Sequence, residues 1–380
     1  MRDYFSSYYP KSNELIQELW NKALFVFDAS VLLKLYELTP AARREFMRTL
    51  NRIADRIWIP YQAAFEYQRN RIHVIEKQIK MADAVLGTLK QIKKDVEGAL
   101  PKEHPFVDAQ VVEEIIKACQ RAREKLKRKK CDYQRLLKHD LIREKLDSLL
   151  AGRIGEPYRT DQLVEICEVA QKRYRARIPP GYADENKVEG NPFGDLIIWF
   201  QIIDKARVEK RPIILVTDDR KEDWWVYDAS GVLTPRQELV DEMKQKAGVE
   251  LLMYTPEAFL KDFSVYRKQK VPKRTIEELA DLTAWKYSES LKHYISQMQA
   301  QLPSIPQIDL AQVAAIYNSI QKAAEQAQPL STAQIQAAFA KYLGELRNFP
   351  LNAYLDEHPP PKKKRTESSD EDTESKGNNG

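Results

Sequence analysis

PIILVTDDRKEDWW, residues 212–225, joins an apolar run to a turn rich in carboxylates. The uninterrupted apolar residues 213–216 are typical of a strand buried on both faces of a parallel sheet. Asp218, Asp219 and Asp223 follow that run. A carboxylate at the end of a buried strand is costly to keep in apolar surroundings, and it readily binds a cation. The stretch therefore predicts an α/β sheet with a cation-binding edge.

Three further acids stand in comparable places beside apolar runs. They are Asp28 in FVFDASVLLKLY (25–36), Glu66 in IWIPYQAAFEYQRNR (57–71) and Asp195 in GNPFGDLIIWF (190–200). Loops at the carboxyl ends of parallel strands face one crevice, so we expect these acids to converge there. Carboxylates gathered in this way repel one another unless cations bind, which favours a metal site. Taken singly, each acid is better explained as a helix cap, a first-turn residue, a turn residue or a surface charge, and only the set in this order favours the metal site.

Segments with strand character alternate with helical segments along most of the chain. The predicted strands cover residues 23–27, 57–61, 212–216 and 251–254. This alternation predicts an α/β protein with a central parallel sheet in a three-layer fold. Residues 68–150 are almost continuously helical in pattern and highly charged, which predicts a large helical hairpin inserted into the core.

The character of the chain changes after about residue 267. The sequence from there to about residue 346 predicts amphipathic helices separated by Pro-containing breaks. The last segment, PPPKKKRTESSDEDTESKGNNG, is highly charged and is predicted to be disordered. We therefore expect a core domain over 1–267 with its insertion at 68–150, a C-terminal helical module over 268–357 and a charged tail over 358–380.

Composition restricts the class of protein. A hydrophobic content of 43% supports a real core in a chain of 380 residues. No apolar run approaches the roughly 18 residues of a membrane helix, and residues 1–20 lack the apolar core of a signal peptide. We therefore expect a cytoplasmic protein with no membrane partner. Its cysteines are too few and widely spaced for a disulfide framework or zinc site, and its histidines are too scattered to favour imidazole catalysis.

The basic stretch EKLKRKKCDYQRLLKHDLIREKLD (124–147) leaves two interpretations open. Rows of Lys and Arg bind a phosphate backbone by releasing counterions, which would place nucleic acid here. A solvated helix with ion pairs between residues i and i+4 has the same pattern.

The acidic residues suit Mg²⁺ or Mn²⁺, which prefer oxygen ligands and keep several waters. Such ions can activate a water and stabilise the leaving oxygen of a phosphodiester, so no nucleophilic side chain is required. The sequence contains no GxSxG nucleophile elbow and no GxxxxGK[ST] nucleotide loop. Metal-dependent hydrolysis of a phosphodiester is therefore the favoured chemistry.

As a set, the acidic segments resemble the PIN-like nucleases, in particular the branch with a large helical insertion. The loop PPGYADENK (179–187) and the ending DDRKEDWW (218–225) are the most specific parts of this resemblance, which covers about residues 20–265. It implies a PIN-like fold and a metal-dependent endonuclease that usually acts on RNA. It also implies a role as a toxin or in phage defence.

The resemblance also implies roles for individual residues. Asp28, Glu66 and Asp195 match three acids of the family pattern, and Asp219 matches the fourth because Thr217 stands two residues before it. These four are the expected catalytic residues. The expected metal ligands are Asp28, Glu66, Asp195, Asp218, Asp219 and Asp223, and the candidate substrate contacts are Thr217, Lys187, Arg220 and Lys221.

Two other functions remain open from the sequence. One is a PIN-like scaffold that binds RNA or a protein without cleaving it. The other is a DNA-directed nuclease, since the same metal chemistry cleaves either backbone and only contacts to the 2′-hydroxyl distinguish them. A second copy of the chain or a regulatory protein is the expected partner of the C-terminal helical module.

Overall fold

A parallel four-stranded sheet organises the core in the computed structural model, which describes residues 1, 5–99, 109–185, 187, 190–227 and 233–286. The strand order is β2-β1-β3-β6, and all three neighbouring pairs are parallel. The strands are β1 (Leu24–Phe27), β2 (Ile57–Trp58), β3 (Ile213–Val216), β4 (Trp225–Tyr227), β5 (Leu233–Pro235) and β6 (Leu251–Tyr254). The predicted α/β class with a central parallel sheet is confirmed.

Helices cover the sheet and connect its strands. They are α1 (Asn13–Lys22), α2 (Ala29–Lys34), α3 (Pro40–Asn51), α4 (Tyr61–Ala99), α5 (Ala109–Leu136), α6 (Leu141–Leu150), α7 (Thr160–Arg175), α8 (Gly194–Glu209), α9 (Gln237–Ala247) and α10 (Pro256–Tyr266). None of the helices in the described ranges is long and apolar enough to cross a bilayer. The antiparallel pair β4 and β5 was not predicted.

The register of the sheet explains why β1 and β3 are apolar throughout. Phe25 pairs with Ile214 and Phe27 with Val216, and both strands are buried along their whole length. Side chains alternate between the two faces of a strand, so a strand covered on both faces needs apolar residues at every position. Their carboxyl ends coincide, because the amide of Asp28 donates to the carbonyl of Val216 at 3.0 Å.

An aromatic cluster packs α1 and α10 against one face of the sheet. The ring of Trp20 stacks on Phe259 with centroids 5.7 Å apart, and Phe27 meets Phe259 edge-to-face at 5.4 Å. The indole NH of Trp20 donates to the hydroxyl of Tyr254 at 3.0 Å, so its polar atom is satisfied inside the cluster. On α8, most side chains are buried, and this helix contacts α4, α7 and α9.

The two long helices α4 and α5 pack against each other as a hairpin. A hydrogen-bonded cluster lies where this hairpin meets the core: Tyr36 donates to Asp140 at 2.7 Å, and Arg71 forms an ion pair with Asp140 at 3.0 Å. The hydroxyls of Tyr36 and Tyr67 are 2.8 Å apart. Helix α4 begins at Tyr61, so one continuous helix carries Glu66 and the first arm of the hairpin.

Only the start of the predicted C-terminal helical module is described. Residues 273–286 form a helix against the core: Glu278 accepts hydrogen bonds from the amide and hydroxyl of Thr39, and Lys286 pairs with Glu37 at 2.7 Å. Residues 287–357 and the predicted charged tail over 358–380 lie outside the described residues. The domain boundaries stay predictions.

Candidate active site

The carboxylate of Asp28 lies at the carboxyl ends of β1 and β3, where it caps α2. It accepts hydrogen bonds from the amide of Ala29 at 2.7 Å and the hydroxyl of Ser30 at 2.5 Å. Burial, and secondarily the charge of Asp195, raise the pKa of Asp28, while the hydroxyls of Ser30 and Thr217 oppose this shift. Asp28 therefore caps α2 and at the same time belongs to a group of acids.

Thr217 connects the ends of the two central strands. Its buried hydroxyl donates to Asp28 at 3.1 Å and accepts from the amide of Asp219 at 3.0 Å. This orients the Asp28 carboxylate and the start of the acidic turn together. Thr217 was predicted as a substrate contact, but in the structure its hydroxyl is used inside the site.

Glu66 enters the site from the second turn of α4. The side-chain amide of Gln62 donates to it at 2.8 Å. Gln62 is itself held in place because its backbone amide donates to the side-chain oxygen of Gln201 at 3.0 Å. Burial raises the pKa of Glu66 to about 7 and outweighs the opposing hydrogen bond from Gln62, while the charges of Asp28 and Asp195 add smaller contributions in the same direction as burial. Glu66 thus shares an electrostatic environment with two other acids of the predicted set.

The start of α8 approaches Glu66 closely. A Cβ atom at Gly194 would lie 2.5 Å from Oε1 of Glu66, so any larger residue would displace this carboxylate from its present position. Asp195 follows in the first turn of α8, where the helix dipole favours negative charge. The indole NH of Trp224 lies 3.4 Å from the Asp195 carboxylate.

Lys221 lies among three carboxylates. Its ammonium is 2.7 Å from Asp219, 3.0 Å from Asp184 and 3.4 Å from Asp195. Burial alone would lower the pKa of Lys221, but these acids outweigh it and the pKa is raised. Burial and the charge of Asp195 raise the pKa of Asp219, and Lys221 opposes that shift. Lys187, also predicted to contact substrate, is exposed and pairs with Asp184 at 2.9 Å.

Three other predicted residues are engaged in separate contacts. Asp218 pairs with the buried Lys34 at 2.6 Å, and Arg220 pairs with Glu257. Asp223 is fully buried and accepts from the amides of Gly181 at 2.8 Å and Ala183 at 3.2 Å, which fixes the loop before α8. The structure brings Asp28, Glu66, Asp195 and Asp219 together. Asp223 lies beside this group, because burial and then the charge of Asp195 raise its pKa, whereas Asp218 and Arg220 are held in other ion pairs.

Sequence reasoning missed Asp184, Ser30, Gln62 and Gly194. Asp184 stands in the loop PPGYADENK, and that loop is the only signal that could have found it. Ser30 is the second residue of the helix that Asp28 caps, so it lies within reach of the capping carboxylate. Gln62 is one helical turn before Glu66, so its contact follows from helical spacing once Glu66 is known. Gly194 directly precedes Asp195.

The donor chemistry of the acidic group fits a hard divalent cation. In the part of the chain that the structure describes, no three His, Cys, Asp or Glu side chains already surround a metal position. Within the same residues neither Asp28 nor Glu66 forms an ion pair, although burial disfavours the charged form of each. A cation held by Asp28, Glu66 and Asp195 would supply the positive charge that Asp28 and Glu66 lack as a partner within those residues, and its protein ligands would all be oxygens.

Comparison with known proteins gives one family. No curated protein and no solved structure matches the chain significantly. The family model described as "PIN like domain" matches residues 24–239, more than half of the chain. The match begins at β1, ends in α9 and includes every residue of the acidic group. The predicted resemblance is confirmed, and this chain belongs to the PIN-like domain family.

Proposed function

We propose that this chain is a divalent-metal-dependent endonuclease that hydrolyses phosphodiester bonds, with RNA as the favoured substrate. The observation that carries the proposal is the group formed by Asp28, Glu66, Asp195 and Asp219 where β1, β3, α4 and α8 meet. Domains of this family are typically metal-dependent nucleases, which supports the same activity. The preference for RNA over DNA rests on the family resemblance alone, as does a toxin or phage-defence role.

Asp28, Glu66 and Asp195 are the residues that would hold Mg²⁺ or Mn²⁺. When bound, such an ion would polarise a phosphoryl oxygen and lower the pKa of a bound water. The contribution of the protein is to fix the carboxylates beforehand: Ser30 and Thr217 orient Asp28, and Gln62 orients Glu66. A site fixed in this way needs little rearrangement when charge develops in the transition state.

The basic stretch on α5 supports nucleic acid as the partner. Lys130 pairs with Asp83 of α4 at 2.5 Å and therefore holds the hairpin together. The neighbouring cations are exposed: Lys125, Lys127, Arg128 and Lys129. Across the described residues these four form no ion pair, so they are available for phosphate groups. We further propose a cytoplasmic location and a partner-binding role for the helical module over 268–357.

The test is cleavage of labelled single-stranded RNA and DNA by the full chain with Mn²⁺, Mg²⁺ or EDTA. Wild type should cleave only with metal, and Asp28→Asn should lose at least a hundredfold in rate because it removes one charge and keeps the shape. Asp161→Asn, which removes an exposed carboxylate on α7, is the matched control and should cleave normally. Equal cleavage by Asp28→Asn and wild type would refute the proposed site, and no cleavage of either substrate would refute the nuclease activity.

A further inference from the structure

The ammonium of Lys221 lies inside the acidic group instead of projecting into solvent. It is within 3.4 Å of Asp184, Asp195 and Asp219, and its side chain is about one-third exposed, at 34%. The backbone of Lys221 is also fixed. Its amide donates to Asp219 at 3.0 Å, and its carbonyl accepts from the amide of Trp224 at 3.1 Å.

The four acids of the site and the neighbouring Asp184 fall into two halves, according to whether they pair with Lys221. Asp219 and Asp184 pair with its ammonium, whereas Asp28 and Glu66 form no ion pair in the described part of the chain. Asp195 belongs to both halves, because it contacts Lys221 and its charge raises the pKa of both Asp28 and Glu66. The protein therefore places the ammonium of Lys221 in ion-pair contact with one half, and the described residues place none in such contact with Asp28 or Glu66 of the other.

A pair of catalytic metal ions would need both halves. Such ions stand roughly 4 Å apart and share carboxylate ligands. Here the oxygens that a second ion would need, on Asp195 and Asp219, already face a fixed ammonium. A dication placed there would be repelled by that ammonium at close range.

We infer that Lys221 is a built-in substitute for a second metal ion, so that the site takes one divalent cation, bound on the side of Asp28 and Glu66. The inference rests on the proposed metal-dependent function. Lys221 acts as a positioning residue: it holds Asp195 and Asp219 in place and supplies positive charge that chelators cannot remove. It is not a phosphate contact in this arrangement.

The test is calorimetric titration of the full, nucleic-acid-free chain with MnCl₂. Wild type should bind one Mn²⁺ and Asp28→Asn none. Lys221→Met keeps the apolar stem and removes the charge, so it should bind two. Lys117→Met on α5 is the matched control, because it removes an exposed lysine that pairs with Glu113 at 2.7 Å; it should bind one. Lys221→Arg keeps the charge and should also bind one.

Two outcomes would overturn the inference directly. They are two Mn²⁺ bound by wild type, and one Mn²⁺ bound by a Lys221→Met variant whose circular dichroism and melting temperature match wild type. If Lys221→Met fails to fold, Lys221→Gln takes its place. One Mn²⁺ bound by a folded Lys221→Gln variant would then overturn the inference, as would two Mn²⁺ bound by wild type. No Mn²⁺ binding by wild type also overturns it. Because the titration contains no substrate, cleavage measured separately shows whether the nuclease proposal stands or falls.

Discussion

Ionisation of Glu66 should destabilise the metal-free protein above neutral pH. The pKa of Glu66 rises from the ordinary 4.5 to about 7 on folding, chiefly through burial. A raised folded-state pKa means that the folded state holds the proton more tightly than the unfolded state does. The stabilisation is therefore complete below about pH 4.5 and is lost as pH rises through about 7.

The size of this effect follows from the two pKa values. Each pH unit of difference corresponds to roughly 1.4 kcal/mol, so the rise from 4.5 to about 7 amounts to about 3 kcal/mol. Glu66→Gln cannot ionise and keeps an oxygen that accepts the hydrogen bond from Gln62. At pH 8 in EDTA the variant should unfold with a free energy about 3 kcal/mol higher than that of wild type, and at pH 4.5 the two should be similar.

Urea unfolding followed by circular dichroism at pH 4.5, 6 and 8 measures this difference. Adding Mn²⁺ at pH 8 should stabilise wild type and have little effect on Glu66→Gln, because a bound cation favours the carboxylate. Glu76→Gln, an exposed acid on the same helix, is the control and should show no pH-dependent difference. An unfolding free energy for Glu66→Gln that equals wild type at pH 8 would refute the electrostatic account of this residue.

Two further predictions concern the neighbours of the acidic group. Gly194→Ala should leave the melting temperature nearly unchanged but weaken Mn²⁺ binding at least tenfold in calorimetry, because the new methyl group displaces the Glu66 carboxylate. Gly87→Ala on α4 is the control. The added atom there meets nothing within 4 Å, so this variant should bind Mn²⁺ as wild type does. Lys34→Met should lower the free energy of unfolding by about 3 kcal/mol, because the buried Asp218 carboxylate loses its close partner and keeps only the longer pair with Lys286 at 3.8 Å. The double change with Asp218→Leu should restore most of that loss in urea unfolding. A single-variant loss below about 1 kcal/mol would contradict the importance of that pair.

The sheet could be predicted from the sequence because its strands are short apolar runs, and because the two central ones, β1 and β3, end in acids. Runs such as residues 213–216 have no polar face, so they fit a strand covered on both sides. The short strands β4 and β5 carry no such signal. They follow the acidic turn directly, and their pairing depends on how that turn closes: the indole of Trp225 donates to the carbonyl of Asp219 at 2.7 Å.

The family resemblance selected Asp219 over Asp218 by its distance from Thr217, but the partners of the two acids lay beyond sequence reasoning. Neighbouring residues at the end of an extended strand point in opposite directions, so only one of two adjacent acids can face a given crevice. The structure directs Asp218 to Lys34 and Asp219 to Lys221. The position of Asp184 was equally hidden, because it depends on a loop that the buried Asp223 organises through two backbone amides.

The continuous helix α4 gives the insertion a physical connection to the acidic group. Glu66 lies near the amino end of this helix, and the hairpin formed with α5 extends from its other end. The cluster of Tyr36, Tyr67 and Asp140 fixes this helix at Tyr67, the residue directly after Glu66. Tyr36 also follows α2, the helix that Asp28 caps. A ligand that shifts the hairpin must therefore either break this cluster or move Glu66 relative to Asp28, so binding on the insertion and cation binding at the acidic group are expected to be energetically coupled.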